Sequence, residues 1–278
     1  MPELLDANQL TLDGIARVLS EAGIDATVGD GQVDVVAEGR RFRALSVGGQ
    51  YVILSAEFDL EGPETTKRLF WINALNMQAP SVRYASFQDG LVMGLPIPIE
   101  GGIVREAFLD AVRLFARECD ARLTSTSTPS AWIERVPPDG AVLDGVIPPT
   151  GLDVPTLQAA LAEAGITGEV VPSGVLVVTV EDIEVFVVPT DKGLLKLGCP
   201  FTTRPDADYD EMLDFVNQVN LRFAQARTVV DDMHRIVVEF PVASDRGVVK
   251  ATLAATVRFL ARAAVGVRDI LADRPDLT

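Results

Sequence analysis

Hydrophobic and polar positions recur with two different periods along this chain, and the places where the period changes mark out its elements. Leu12, Ile15, Ala16 and Leu19 repeat at helical spacing and run out at Gly23, a residue suited to the positive φ that closes a helix. Val33 to Ala37, Phe42 to Val47 and Tyr51 to Phe58 alternate with period two and are rich in β-branched side chains, which predicts three strands. Gly48-Gly49 supplies the φ of a tight hairpin, so the last two of these should be antiparallel neighbours. A helix is predicted over Glu64 to Met77, then strands over Val82 to Phe87 and Leu91 to Ile97 joined at Gln88-Asp-Gly90, then a long helix over Ile103 to Cys119.

The same order then begins again. Leu19-Ser-Glu-Ala-Gly-Ile24 recurs as Leu161-Ala-Glu-Ala-Gly-Ile166, Trp71-Ile-Asn-Ala-Leu-Asn76 as Phe215-Val-Asn-Gln-Val-Asn220, and Val112-Arg-Leu-Phe-Ala-Arg117 as Val257-Arg-Phe-Leu-Ala-Arg262. The offset drifts only from 142 through 144 to 145, so the insertions fit in loops and the chain reads as two copies of one domain. In the second copy Asp153 is a credible N-cap with Pro155 in the first turn, ahead of Leu157, Leu161 and Gly165. Strands are predicted over Val175 to Val180, Ile183 to Val188 and Leu194 to Phe201, with Asp191-Lys-Gly193 as a hairpin, and a helix over Asp208 to Phe223.

Between the copies, residues 124–151 form a Ser/Thr/Pro-rich linker with Pro137-Pro138 and Pro148-Pro149, a composition that favours turns and extended backbone. Trp132, Ile133, Val142, Leu143 and Ile147 are too apolar for a purely solvated tether, so part of it should lie against a domain. The domains are expected at 1–123 and 152–278. Each is an α+β unit of order α-β-β-β-α-β-β-α, a five-stranded antiparallel sheet packed with helices.

The closing helix carries two apolar stripes where a surface helix needs one. Val104, Phe108, Ala111 and Phe115 make the first, and Leu109, Val112, Ala116 and Cys119 the second. Val249, Leu253, Val257, Leu260 and Ala264 echo them, which predicts contact of this surface with the other domain or another chain.

Composition narrows the function. With 48% hydrophobic and 23% charged residues the chain is core-forming, and its net charge of −16 is spread evenly. Residues 1–124 hold 18 acidic and 11 basic side chains, and 151–278 hold 19 and 12, so each half stands at −7. Phosphate backbones and anionic membranes attract Lys and Arg clusters, so neither is an expected partner, whereas a basic protein segment is. No run approaches the roughly 18 apolar residues of a membrane span. Nor does the N-terminus have the flank and apolar run of a signal peptide, and a cytoplasmic location is expected.

The order of elements, the Leu75-Asn76 and Val219-Asn220 endings of the middle helices, and the Leu-Pro-Ile and Phe-Pro-Val at Leu95 to Ile97 and Phe240 to Val242 resemble a tandem member of the YbjN-like family, whose domains share the fold of type III secretion chaperones. The likeness covers roughly 10–120 and 152–272. It implies a non-enzymatic protein of chaperone or adaptor type, commonly dimeric and acidic, that holds an extended segment of another protein, with no catalytic, cofactor or metal residue. Secretion chaperones are usually single-domain dimers, so two fused copies point either to a homodimer or to a dimer-like pair within one chain.

The local chemistry is thin. Asp206-Ala-Asp208-Tyr-Asp210 imitates the start of an EF-hand loop, but Glu211 stands where the turn needs Gly and Asn217 where it needs Glu, so an acidic helix start is favoured. Asp231-Asp232-Met-His234 offers two carboxylates beside the only histidine and reads as a solvated turn. Gly29-Asp-Gly31 and Gly48-Gly49 lack the following Lys-Ser or helix of a phosphate loop. Cys119 and Cys199 have only His234 to serve as a base and read as buried, inert thiols.

The paired asparagines, Asn73/Asn76 and Asn217/Asn220, stand out because they lie three apart on one helix face in both copies. Their carboxamides can bond a strand edge, a peptide backbone or each other, with a structural role favoured. Candidate partner or subunit contacts are therefore Leu109, Val112, Ala116, Val257, Leu260 and the four asparagines. The expected function is a protein-binding adaptor that holds a segment of a partner, such as a nucleic-acid-binding or stress-response protein. The alternative is a small-molecule sensor or carboxylate enzyme, which needs a deep pocket of convergent Asp or Glu between the domains.

Overall fold

The computed structural model describes residues 3–59, 66–78, 82–87, 90–124, 145–190, 194–222, 226–244 and 247–278. Most of the linker, with Trp132, Ile133, Val142 and Leu143, and the turns at 88–89 and 191–193 lie outside the described residues. The first copy runs β1 (Leu4–Leu5), α1 (Leu12–Glu21), β2 (Asp25–Val28), β3 (Val33–Ala37), β4 (Arg40–Val47), β5 (Tyr51–Asp59), α2 (Thr66–Gln78), β6 (Arg83–Phe87), β7 (Gly90–Pro98), β8 (Ile103–Val104) and α3 (Arg105–Thr124). The second repeats it as β9 (Val146–Ile147), α4 (Val154–Glu163), β10 (Gly168–Val170), β11 (Leu176–Val180), β12 (Ile183–Pro189), β13 (Leu194–Phe201), α5 (Tyr209–Arg222), β14 (Arg227–Val230), β15 (Ile236–Ala243), β16 (Val248–Val249) and α6 (Lys250–Ala272).

Each copy is an α+β domain on an antiparallel sheet of six strands, in the order β2-β3-β4-β5-β7-β6 and β10-β11-β12-β13-β15-β14. The expected five-stranded sheet is thus one strand short. After α1 and α4 the chain turns at Gly23 and Gly165, with φ of 74° and 76°, and comes back along its sheet as β2 and β10. These strands are four and three residues long, largely exposed and bonded on one side only, so they leave little alternation to read.

A second difference lies at the closing helix. Ile103 and Val104 are extended and pair with Leu4–Leu5, and α3 begins at Arg105. Val248–Val249 pairs with Val146–Ile147 in the same way, which buries Ile147 and extends the repeat upstream of the helix that opens each copy. Local capping follows the sequence: Thr11 Oγ1 accepts from Gly14 N at 3.3 Å, and Asp153 Oδ1 accepts from Thr156 N at 2.8 Å.

Helix α3 covers one face of the first sheet and α6 one face of the second. Two apolar clusters result, and they are not equivalent. The first draws only on its own copy, from Leu5 to Cys119, whereas the second also takes in Tyr51, Ile53 and Leu69 of the first copy. The Tyr51 ring lies 4.7 Å from Phe259 and 6.0 Å from Phe240. At another contact Gly101, with φ of 84°, lets the backbone approach α6 so closely that a Cβ there would stand 2.6 Å from the Ala251 Cβ. Beside it, Thr252 Oγ1 donates to the Gly102 carbonyl at 2.6 Å.

Candidate interaction site at the seam between the copies

β6 and β14 are edge strands, and an edge strand carries unpaired backbone groups that must be satisfied if it is buried. They meet where α2 and α5 pack together, and the paired asparagines meet that need. Asn76 Nδ2 donates to Tyr84 O at 2.9 Å while Asn76 Oδ1 accepts from Tyr84 N at 2.7 Å. Asn217, from the other copy, makes the same two bonds to Ser86 at 3.3 and 2.8 Å. On the opposite edge Asn220 clamps Thr228 of its own copy at 2.8 and 2.7 Å, and Asn73 clamps Val230 across the seam at 3.0 and 2.9 Å. Each carboxamide therefore stands in for a peptide unit of a further strand. The two clamped positions on each strand lie two apart on one strand edge and are filled by one asparagine from each helix, so the pair three apart on one helix face serves both strands.

Two arginines reinforce the seam. Arg83 Nη1 donates to Asn220 O near the C-terminal end of α5 at 2.5 Å, and Arg227 Nη1 donates to Val82 O at 3.1 Å. Arg227 also pairs with Glu239 at 2.6 Å. Burial pushes the Arg83 guanidinium down to about 10, which leaves it cationic at neutral pH.

The predicted residues separate into two groups. Asn73 and Asn217 reach across the seam, while Asn76 and Asn220 serve their own copy. Leu109, Val112 and Ala116 are buried in the first copy's own cluster with Ile15, Val18 and Leu19 of α1, and Val257 and Leu260 are buried in the second cluster. Cys119 and Cys199 are buried, and burial pushes both thiols up to about 12. Asp208 Oδ1 accepts from Asp210 N and Glu211 N at the start of α5, and Asp206 pairs with Arg204, so this stretch is a helix start. Gly29 N donates to Gln32 O in a hairpin turn. No group of three or more His, Cys, Asp or Glu side chains that could hold a metal occurs among the described residues.

Asp231-Asp232-Met-His234 is also a turn: Asp231 Oδ1 accepts from Met233 N and Arg235 N, Asp231 Oδ2 pairs with Arg235, and His234 has φ of 55°. Its location is what periodicity does not disclose. With Val230 and Tyr209 it forms one wall of a groove of about 380 Å³, whose other wall is Phe70 and Met77 of α2 in the first copy. The Tyr209 ring lies 6.3 Å from Phe70 and 5.5 Å from His234. Burial raises the Tyr209 phenol, and the neighbouring Asn73 carboxamide opposes the shift. Phe70 is 55% exposed and Met233 71%, and Trp71, Met77 and Leu221 are exposed as well.

Phe70 is the residue that pattern reading passed over. Its partner in the repeat is Asp214, which accepts from Gln218 Nε2 on α5, so the fold does not require an aromatic there; aligning the two helices position by position exposes the mismatch. A second space between the copies, about 60 Å³, is walled by Leu95, Ile97, Leu114, Leu194, Val242 and neighbours with Asp110 as its one carboxylate. Three carboxyls held low lie elsewhere: Asp153 by its hydrogen bonds from Thr156, Asp206 by Arg204 and Asp276 by Arg274.

Comparison of the chain with protein-family models, with curated proteins and with solved structures finds no match. What stands is the architecture itself, two domains of repeated topology. No helix among the described residues is long and apolar enough to cross a membrane.

Proposed function

We propose that this chain is a non-catalytic adaptor that holds a segment of a partner protein at the seam between its two copies, in keeping with the chaperone-like behaviour that a likeness to YbjN-like proteins implies. The observation that carries the reading is the exposed apolar surface around the groove, with Phe70, Trp71, Met77 and Met233 all open to water in a chain of net charge −16. Aromatic side chains and methionine are enriched where proteins bind one another, and the repeat's aspartate at the matching position shows that the domain fold does not require this exposed ring. The buried seam edges are occupied by asparagine side chains, which directs attention to the groove rather than to strand addition at β6 or β14.

Crosslinking capture from native cell extract, with the full chain as bait at low and moderate salt, tests the reading. A recurrent partner crosslinked near Phe70 or His234 through a basic or apolar segment is the expected result. An empty capture by a folded bait overturns it.

A further inference from the structure

Resting on that reading, we infer that the groove seats an arginine side chain of the partner segment between the aromatic wall and Asp232. Three rings, Phe70, Tyr209 and His234, follow one another at 6.3 and 5.5 Å along the groove, and their interplanar angles of 59° and 43° mean that they are not stacked on one another. A planar guanidinium stacks on such faces and is attracted by their negative quadrupole, while its methylene stem packs on apolar side chains, here Met77 and Val230. The charge on offer is Asp232. Asp231 is already engaged by the turn and by Arg235, whereas Asp232 is exposed and forms no ion pair among the described residues. Lysine, a strongly hydrated point charge, uses the rings less well, so the combination favours arginine.

Both walls of the groove depart from the repeat. Phe70 stands where the second copy has Asp214, and the turn after β14 carries one residue more than its counterpart after β6, since Val230 aligns with Ser86 at an offset of 144 and Ile236 with Leu91 at 145. The two departures fall together at one place on the seam.

The test is fluorescence anisotropy on the full chain with short labelled Gly/Ser peptides that differ only in carrying arginine, lysine or citrulline. The arginine peptide should bind about fivefold more tightly than the citrulline peptide, and Phe70→Ala and Asp232→Asn should each weaken it about fivefold. Both sites are exposed, so the variants keep the fold. Asp30→Asn, an exposed acid in the hairpin between β2 and β3, should leave binding unchanged. Equal binding of citrulline, unchanged binding in Phe70→Ala, or an equal loss in Asp30→Asn overturns the inference, the last because it reduces the effect to overall acidity. A partner that Phe70→Ala still captures in full overturns the groove but not the adaptor reading, whereas an empty capture overturns the adaptor reading itself.

Discussion

Arg83 and Arg227 occupy matching positions in the two copies and are buried in different company. Each faces a directly opposed residue on the next strand: Gly94 for Arg83, Glu239 for Arg227. In the second copy the carboxylate neutralises the guanidinium at 2.6 Å. In the first the opposed residue is a glycine with no carboxylate to offer, and a Cβ there would lie a tight 3.0 Å from Arg83 Nε. Arg83 instead donates to a carbonyl in the last turn of α5, where the helix dipole supplies partial negative charge. One architecture thus buries one cation by pairing and the other by a helix terminus. The lesson is that duplication preserves the need to satisfy a buried group but not the means.

That contrast predicts unequal costs. Glu239→Ala leaves the Arg227 guanidinium, 3% exposed, without its carboxylate and should cost about 3 kcal/mol in chemical denaturation. Asn217→Ala strands the N–H and C=O of Ser86 and should cost about 2 kcal/mol. Hydrogen exchange should then show lost protection at the Ser86 amide with Tyr84 still protected by Asn76, and equal loss at both would contradict the idea of separate clamps. Arg83→Met removes a buried cation whose one partner among the described residues is a carbonyl, so its cost should stay within about 1 kcal/mol and below that of Arg227→Met. If the two arginine variants cost the same, the comparison fails.

The smallest effect is read through the thiols, one in each copy. Burial raises Cys119 and Cys199 from 9.0 to about 12, so between those values the folded chain holds protons that the unfolded chain has lost. Stability should therefore fall as pH rises through that window. At neutral pH neither thiol should react with a labelling reagent until its domain opens. Glu239→Ala, next to the residue that pairs with Cys199 across the strands, should speed labelling of Cys199 before that of Cys119.

The periodic elements were readable in the chain because a strand or helix face is a local pattern: Val33–Ala37 forms as predicted and Tyr51–Asp59 differs from its expected range by one residue. Elements bonded at one edge were not. β2 and β10 are too short and too wet to alternate, and β8 joins no helix because its partner, Leu4–Leu5, lies almost a hundred residues away. The stripe of Leu109, Val112 and Ala116 suggested a second partner, yet α1 and the sheet of the same copy share its cluster. The candidate site divides in the same way: the asparagine pairs could be singled out from their spacing, but which strands they clamp could not.

The sequence by itself determined the duplication, the α+β character of each copy, the turn glycines and the acidic surface, since each depends on composition or on neighbours a few residues apart. Only the tertiary structure decided that Asn73 and Asn217 cross between the copies, that Arg83 answers to a helix end and Arg227 to a carboxylate, and that Phe70 meets Tyr209 and His234 in one groove. These are contacts between residues more than a hundred positions apart, save for the cross-strand pair of Arg227 and Glu239. They are made by docking two surfaces, and no periodicity within either surface records which residue of the other it will meet.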